Sequence, residues 1–151
     1  EIQGENQMLF ESPGSPYAKR IRSVTKVCEQ VAIEIKNSLR GNKFPIVLAG
    51  DHSSSVGTIA GIKMAYPRQK LGVIWIDAHA DLHSPFTTPS GNMHGMPIAV
   101  ALDEDNAQNK MNKPDKETLE AWNKLKHLGN SILCKSTRIQ LTCAQPCDQL
   151  P

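Results

Sequence analysis

The chain has 151 residues, a length typical of one domain. Its 17 Lys and Arg residues nearly balance its 15 Asp and Glu residues, and the formal net charge of +2 argues against a nucleic-acid or membrane partner. Hydrophobic residues make up 39% of the chain, enough for a buried core, and no apolar run approaches the roughly 18 residues of a membrane span.

The N-terminal part of the chain predicts one long helix after a polar lead. Residues 1–14 carry neither the basic nor the apolar stretch of a secretion signal. The four cysteines do not suit a disulfide scaffold, so a reduced, cytoplasmic protein is expected. The helix is predicted from an N-cap at Ser15 and a first residue at Pro16 to a stop at Gly41, because apolar residues recur between them at spacings of three and four.

The next segments predict a strand, a helix and a second strand. Residues 46–49 form a short apolar run between Pro45 and Gly50, which indicates a buried strand. A helix is predicted over residues 54–65 and a second buried strand over residues 71–76. This order over about 30 residues is typical of a βαβ unit, in which the two strands lie parallel.

The C-terminal part predicts two further helices and an unusual tail. A short apolar helix is expected over residues 97–102, and an amphipathic helix follows, capped by Asp115 and stopped by Gly129. Residues 130–151 hold three cysteines and show no clear period, and composition leaves open whether they are disordered or foreign to the fold. The domain prediction is a partial α/β domain over residues 1–129 and an atypical tail over residues 130–151.

Metal-ligand side chains follow the two predicted strands. Asp77, His79 and Asp81 stand at alternate positions, so an extended backbone would point all three to one side. His52 follows the other strand, and the carboxyl ends of parallel strands meet at one edge of a sheet. Two carboxylates with imidazole suit Mn²⁺, or less well Zn²⁺, and they permit a metal pair that activates water. Each residue taken alone also suits an ordinary cap or loop role.

Three ordered segments resemble the successive signatures of the ureohydrolases: Ala49-Gly50-Asp51-His52-Ser53, Asp77-Ala78-His79-Ala80-Asp81 and Thr87-Thr88-Pro89-Ser90-Gly91-Asn92-Met93-His94-Gly95. That family includes arginase, agmatinase and formimidoylglutamase, and the third segment is most similar to arginase. The resemblance covers residues of about 15 to 102. It implies a three-layer α/β/α sandwich with a central, mainly parallel sheet, incomplete in this chain. It also implies a hydrolase of arginine metabolism that uses two Mn²⁺ ions and acts on a small guanidino substrate.

The same resemblance implies roles for individual residues. His52 and His79 would each ligate one metal, Asp77 would bridge the two, and Asp81 would bind alongside His52 and share in catalysis. A hydroxide that bridges the metals would attack the guanidinium carbon of L-arginine to give L-ornithine and urea. His94 matches the arginase histidine that moves protons or protonates the leaving amine, a task for which imidazole is suited.

Substrate binding is assigned by resemblance to the third segment and its surroundings. Ser90 matches an arginase residue that contacts the α-carboxylate of the substrate, and Asn92 is assigned to the same task. His83 stands where arginase has Asn; its imidazole could donate a hydrogen bond to a carboxylate, or it could simply face solvent. Agmatine and formimidoylglutamate remain alternative substrates, although Ser90 and the residues around His94 favour arginine.

Two family features lack a counterpart in this sequence: a later Asp-x-Asp pair and a late Glu that holds the guanidinium. Asp103-Glu104-Asp105 has the spacing of that pair but follows a predicted helix, which argues against a metal role. A fragment of an arginase-like protein, truncated at both ends, is therefore expected, and a non-catalytic remnant is an alternative. A homo-oligomer is expected only because members of the family commonly oligomerise.

Overall fold

The computed structural model describes residues 2, 10, 12–130 and 138–143. Six regular elements lie in this part of the chain: α1 (Ile21–Arg40), α2 (Ser55–Ala65), β1 (Gly72–Asp77), α3 (Pro97–Leu102), α4 (Lys116–Asn130) and β2 (Arg138–Cys143). Three short 3₁₀ turns join them: His52–Ser54, Met93–Gly95 and Ala107–Asn109. No helix among the described residues combines the length and hydrophobicity that crossing a membrane requires.

The first helix begins later than the sequence predicts. Arg20 adopts a left-handed conformation with φ 56°, so the helix starts at Ile21 rather than at Pro16. The Ser15 hydroxyl accepts the N–H of Tyr17 in a local turn and caps no helix. The predicted apolar stripe does lie in the core, and its buried members are Ile21, Cys28, Val31 and Ile35.

The later helices agree closely with prediction. α3 has the expected bounds, α2 begins one residue late, and α4 continues one residue past Gly129. The side chain of Asp115 accepts the N–H of Thr118 at 2.7 Å, so it caps α4 as the sequence indicates.

The predicted strand over residues 46–49 is wrong. Ile46 and Leu48 are 78% and 94% exposed, and residues 44–49 make no backbone hydrogen bond to another described residue. An apolar run alone does not make a strand, because a strand also needs a neighbour that supplies ladder hydrogen bonds. β1 instead pairs in parallel with β2, from Gly72 opposite Arg138 to Asp77 opposite Cys143. β2 therefore comes from the segment 130–151, which had no predicted element.

The core lies among the four helices. α1 and α2 pack closely at Gly57, where a Cβ would lie only 2.5 Å from the carbonyl oxygen of Cys28. The absence of a side chain at Gly57 permits this approach. α4 contacts the other three helices and buries Trp122 and Leu125 completely. On β1 the side chain of Trp75 is buried, whereas its neighbours Ile74 and Ile76 are largely exposed. One face of β1 thus carries both the core contact and the strand-end residue Asp77.

Candidate metal centre

Three predicted ligands converge at the carboxyl end of β1. One donor atom from each of His52, Asp77 and Asp81 lies within 4.8 Å of the others. His52 Nδ1 is 2.5 Å from Asp77 Oδ2 and 3.2 Å from Asp81 Oδ2. We call this group the cation cluster. It combines one imidazole nitrogen with two carboxylates, the donor types that suit Mn²⁺.

His52 reaches the cluster from a capped turn. It opens the turn His52–Ser54, and the preceding Asp51 accepts hydrogen bonds from the backbone N–H and the hydroxyl of Ser53 at 2.8 and 2.5 Å. The Asp51 carboxylate is therefore a cap and is not among the clustered ligands.

Asp81 reaches the cluster because the backbone bends after β1. The strand ends at Asp77, and Asp81 itself adopts a left-handed conformation with φ 50°. Its carbonyl oxygen accepts the N–H groups of Ile98 and Ala99 at 3.1 and 3.4 Å, which ties the bend to the start of α3. The extended run assumed for residues 77–81 is therefore not formed.

His79 lies outside the three-residue cluster, on the solvent side of Asp77. Its ring is 83% exposed, its Nδ1 is 3.4 Å from Asp77 Oδ1, and its backbone N–H donates to the same oxygen at 2.9 Å. The two oxygens of Asp77 thus face different histidines, Oδ2 toward His52 and Oδ1 toward His79. A carboxylate placed in this way can bridge two sites.

The two carboxyl groups of the cluster differ in acidity. The backbone N–H of His79 lowers the pKa of Asp77, and the nearby imidazoles add to this effect. Burial raises the pKa of Asp81, and the negative charge of Asp77 raises it further. A cation bound between them would relieve the repulsion that raises the pKa of Asp81.

A buried indole lies against the cluster. The rings of Trp75 and His52 have centroids 4.9 Å apart and are tilted by 58°. Sequence analysis missed this contact, although the spacing of two between Trp75 and Asp77 on one strand places both side chains on the same face.

The histidines assigned to the substrate side lie on the loop after the cluster. The N–H of His83 donates to the carbonyl oxygen of Gly95 at 3.0 Å, and His83 Nδ1 is 3.3 Å from the hydroxyl of Thr87. His94 is exposed in the turn Met93–Gly95, which contacts the turn that carries His52. The fold therefore brings the His94 turn next to the cation cluster.

Ser90 and Asn92 lie on a part of this loop that is fixed to the start of the chain. The Ser90 hydroxyl accepts the N–H of Asn92 at 3.2 Å. Between them Gly91 has φ 72°, and a Cβ there would lie 1.8 Å from the carbonyl oxygen of Pro16. Only glycine fits this position. The substrate roles of Ser90, Asn92 and His83 stay predictions.

Two asparagines brace the same loop, and sequence analysis did not identify them. The side-chain amide of Asn106 donates to the carbonyl oxygen of Leu82 at 2.7 Å, and that of Asn112 donates to the carbonyl oxygen of Thr88 at 2.7 Å. Asparagine is common in loops, so only the fold reveals these contacts.

The second carboxylate pair, Asp103 and Asp105, binds a cation that the protein supplies. Lys126 Nζ lies 3.2 Å from Asp103 Oδ1 and 2.7 Å from Asp105 Oδ1. The indole N–H of Trp122 donates to Asp105 Oδ1 at 2.7 Å. An ammonium group thus lies between the carboxylates of this Asp-x-Asp.

Comparison with known proteins identifies the family. Residues 12–124 match the Arginase family. The chain belongs to the arginase family. It is 41% identical over 99 residues to the arginase of Bacillus caldovelox, covering 66% of this chain and 32% of the relative. It is 44% identical over 92 residues to human arginase-1, covering 60% of this chain and 28% of the relative.

Solved arginase structures share the fold. The Bacillus subtilis arginase superposes with a TM-score of 0.64 at 34% identity, over 83% of this chain and 37% of that one. The Bacillus caldovelox arginase gives 0.65 at 30% identity, over 85% and 37%. These neighbours confirm the α/β class and the arginase-like fold. The chain spans about a third of the length of the curated arginases that it matches.

Proposed function

We propose that this chain is a Mn²⁺-dependent ureohydrolase that hydrolyses the guanidinium group of L-arginine to L-ornithine and urea. The observation that carries the proposal is the cation cluster: one imidazole and two carboxylates within 4.8 Å at a strand end, in a chain of the arginase family. Cytoplasmic location and homo-oligomerisation remain predictions.

The residues present fit a divalent cation. The His52 side chain is half exposed whereas those of Asp77 and Asp81 are mostly buried, so the cluster opens to solvent on the His52 side. Cys28, whose thiol is free, does not compete, because burial raises its pKa to about 12 and its Sγ is directed at the carbonyl oxygen of Ser53. The described donors of the cluster, two carboxylates and one imidazole, favour Mn²⁺ over Zn²⁺.

A second ion is proposed on the other side of Asp77. Because Asp77 Oδ1 lies 3.4 Å from His79 Nδ1, the pair Asp77–His79 provides two further donors. His52 and Asp81 would hold one ion, His79 the other, and Asp77 both. The further ligands of the second ion are not among the clustered residues.

When bound, the ions would make water a stronger nucleophile and stabilise charge at the reacting carbon. The chain's own residues would orient the substrate and move protons. The hydroxyl of Ser90, the amide of Asn92 and the imidazole of His83 are proposed to bind the α-carboxylate. Water would add to the guanidinium carbon and give up its two protons, the bond from carbon to the side-chain nitrogen would break, and His94 would donate one proton to that nitrogen, so that the products are urea and the free amine.

Titration calorimetry with Mn²⁺ tests the metal part of the proposal. We expect two sites on the chain, strong loss of binding in His52→Gln, and unchanged binding in His127→Gln, which removes an exposed histidine of α4. Absence of Mn²⁺ binding to the unsubstituted chain would overturn the proposal.

Substrate consumption by the Mn²⁺-loaded chain tests the reaction. L-arginine, agmatine and formimidoylglutamate should be compared, with L-arginine expected to be consumed fastest. Hydrolysis of agmatine without hydrolysis of arginine would overturn the choice of substrate.

A second candidate is a metal-binding remnant without catalysis. The observation that favours it is that only three donor groups cluster within 4.8 Å among the described residues. One bound ion, and no consumption of any of the three substrates, would decide for this alternative.

A further inference from the structure

We propose that Trp75 is a positioning residue of the cation cluster, whose indole holds the imidazole of His52 so that Nδ1 faces both carboxylates. The expected effect of Trp75 on metal affinity rests on the proposed function. The contact between Trp75 and His52 concerns the metal-free chain and is tested independently.

The first support is that the Asp51 cap fixes the backbone of the turn and does not contact the His52 imidazole. The segment that leads into His52 is exposed over residues 46–49 and makes no backbone hydrogen bond to another described residue, so no described strand fixes the turn from that side. The ring itself is half exposed, and its Nδ1 edge faces Asp77 and Asp81. A side chain in that situation samples several rotamers unless a neighbour restricts it.

The second support is that Trp75 is buried in a strand whereas the His52 side chain is half exposed. Trp75 lies in β1 and is only 9% exposed, and its ring centroid is 4.9 Å from that of His52 at a tilt of 58°. Tilted aromatic pairs at this distance attract each other beyond simple burial. Because Trp75 and Asp77 are two residues apart on one strand, the same backbone sets the positions of the indole and of the central carboxylate.

The third support is that the ring of Trp75, and not its N–H group, is the part that matters for His52. The indole Nε1 is buried without a hydrogen-bond partner among the described residues. A buried donor without an acceptor destabilises the folded state. The aromatic face, and not the N–H, is therefore the part of Trp75 that acts on His52. Phenylalanine should replace it, and leucine should not.

The experiment compares Trp75→Leu with Trp75→Phe in the full chain. In metal-free protein, the ring-proton resonances of His52, assigned with His52→Gln, report the contact through the ring-current shift. We expect that shift to persist in Trp75→Phe and to vanish in Trp75→Leu. Calorimetry should show Mn²⁺ affinity about tenfold weaker in Trp75→Leu, the lower range for loss of a residue that orients a ligand, and nearly unchanged in Trp75→Phe.

Trp122→Phe is the matched control. Trp122 is the other tryptophan of the chain and is fully buried, but its N–H donates to Asp105 rather than packing on the cluster. Its replacement should lower the thermal midpoint while the His52 shift and the Mn²⁺ affinity stay the same.

Two results would overturn the proposal: a folded Trp75→Leu variant with the original His52 shift and affinity, or a Trp75→Phe variant as weak as Trp75→Leu. If Trp75→Leu does not fold, the unsubstituted chain and Trp75→Phe decide, since absence of a ring-current shift in both would refute the contact. If the unsubstituted chain binds no Mn²⁺, the proposed function fails while the resonances still decide the positioning role.

Discussion

Two pairs of aspartates in this molecule each have a nitrogen-bearing side chain between their carboxylates, but the two side chains differ in whether they can bind a metal. The first pair, Asp77 and Asp81, has the imidazole of His52 between its carboxylates. The second pair, Asp103 and Asp105, has the ammonium of Lys126 in the corresponding place. An imidazole can offer a lone pair to a metal, whereas an ammonium group has only protons to donate. The partner, more than the spacing of the aspartates, therefore decides whether a pair can bind a metal.

The difference also appears in the electrostatics. In the first pair, burial together with the charge of Asp77 raises the pKa of Asp81. In the second pair a buried lysine and an indole N–H neutralise and satisfy Asp105. We infer that the first pair is built to receive a cation and the second to stabilise the fold.

The largest effect on Mn²⁺ affinity is expected from a substitution in the first pair. Asp77→Asn should lower Mn²⁺ affinity by about 100-fold or more, above the usual effect of losing a residue that only orients a ligand, because both Asp77 oxygens face histidines. The matched change Asp103→Asn should leave the affinity unchanged. Calorimetry measures both, and equal losses in the two variants would contradict the distinction.

Breaking the second pair should affect stability instead. Lys126→Met removes a buried ammonium and leaves two carboxylates without their cation, so we expect the free energy of unfolding to fall by about 1–2 kcal/mol. Both aspartates are partly exposed, which limits the loss. Denaturant unfolding measures it, with Mn²⁺ affinity as the control. An unchanged midpoint would mean that solvent replaces Lys126 at no cost.

The acidity of Asp81 gives a smaller, graded effect. Because its pKa is raised, Asp81 takes up a proton before Asp77 as the pH falls. Mn²⁺ must displace that proton, so the affinity should fall about tenfold per pH unit below the pKa of Asp81. Calorimetry across that range measures the slope, and a slope of zero would exclude Asp81 as a ligand.

In the metal-free chain, the stability that Asp81 contributes should change with pH in the opposite direction to the Mn²⁺ affinity. A carboxyl group whose pKa is raised by folding binds its proton more tightly in the folded state. The contribution of Asp81 to stability therefore falls as the pH rises from the ordinary aspartate pKa through its raised pKa. Asp81→Asn should remove this part of the pH dependence in denaturant unfolding.

The smallest effect concerns an aspartate beside the first pair that is not among its ligands. Asp51→Ala removes the cap of the turn that carries His52, and we expect Mn²⁺ affinity to fall only about threefold, at the low end of cap effects. Asp51→Asn keeps an oxygen for the N–H of Ser53 and should restore the affinity. A loss as large as that of Asp77→Asn would mean that Asp51 itself binds the metal.

Sequence alone could place the first pair because its evidence is local. Asp77 and Asp81 follow one apolar run and His52 follows another, which predicted that the three would meet at the carboxyl ends of two strands. They do meet, although residues 46–49 form no strand. The orientation of His79 could not be predicted, because it depends on the bend after Asp77 and on the left-handed backbone of Asp81.

Three failures of prediction involve partners distant in sequence. Residues 46–49 have the composition of a strand, but strand formation depends on a neighbour that composition does not reveal. Lys126 reaches Asp105 only after α4 has packed, and nothing local marks that contact. The contact of Trp75 with His52 has the same character, although the strand period already placed Trp75 beside Asp77.

The glycine at position 91 couples two remote parts of the chain. Its carbonyl oxygen accepts the N–H of Lys19, and its missing side chain makes room for Pro16. We therefore expect the loop with Ser90 to reach its final conformation only after residues 16–19 have packed against Gly91. Closing the chain between these two regions is a slow step in folding because they are far apart in sequence. A protease cut near residue 16 should therefore loosen the loop that carries Ser90. Hydrogen exchange of the Lys19 amide, which is bonded to Gly91, should report how well that loop is ordered.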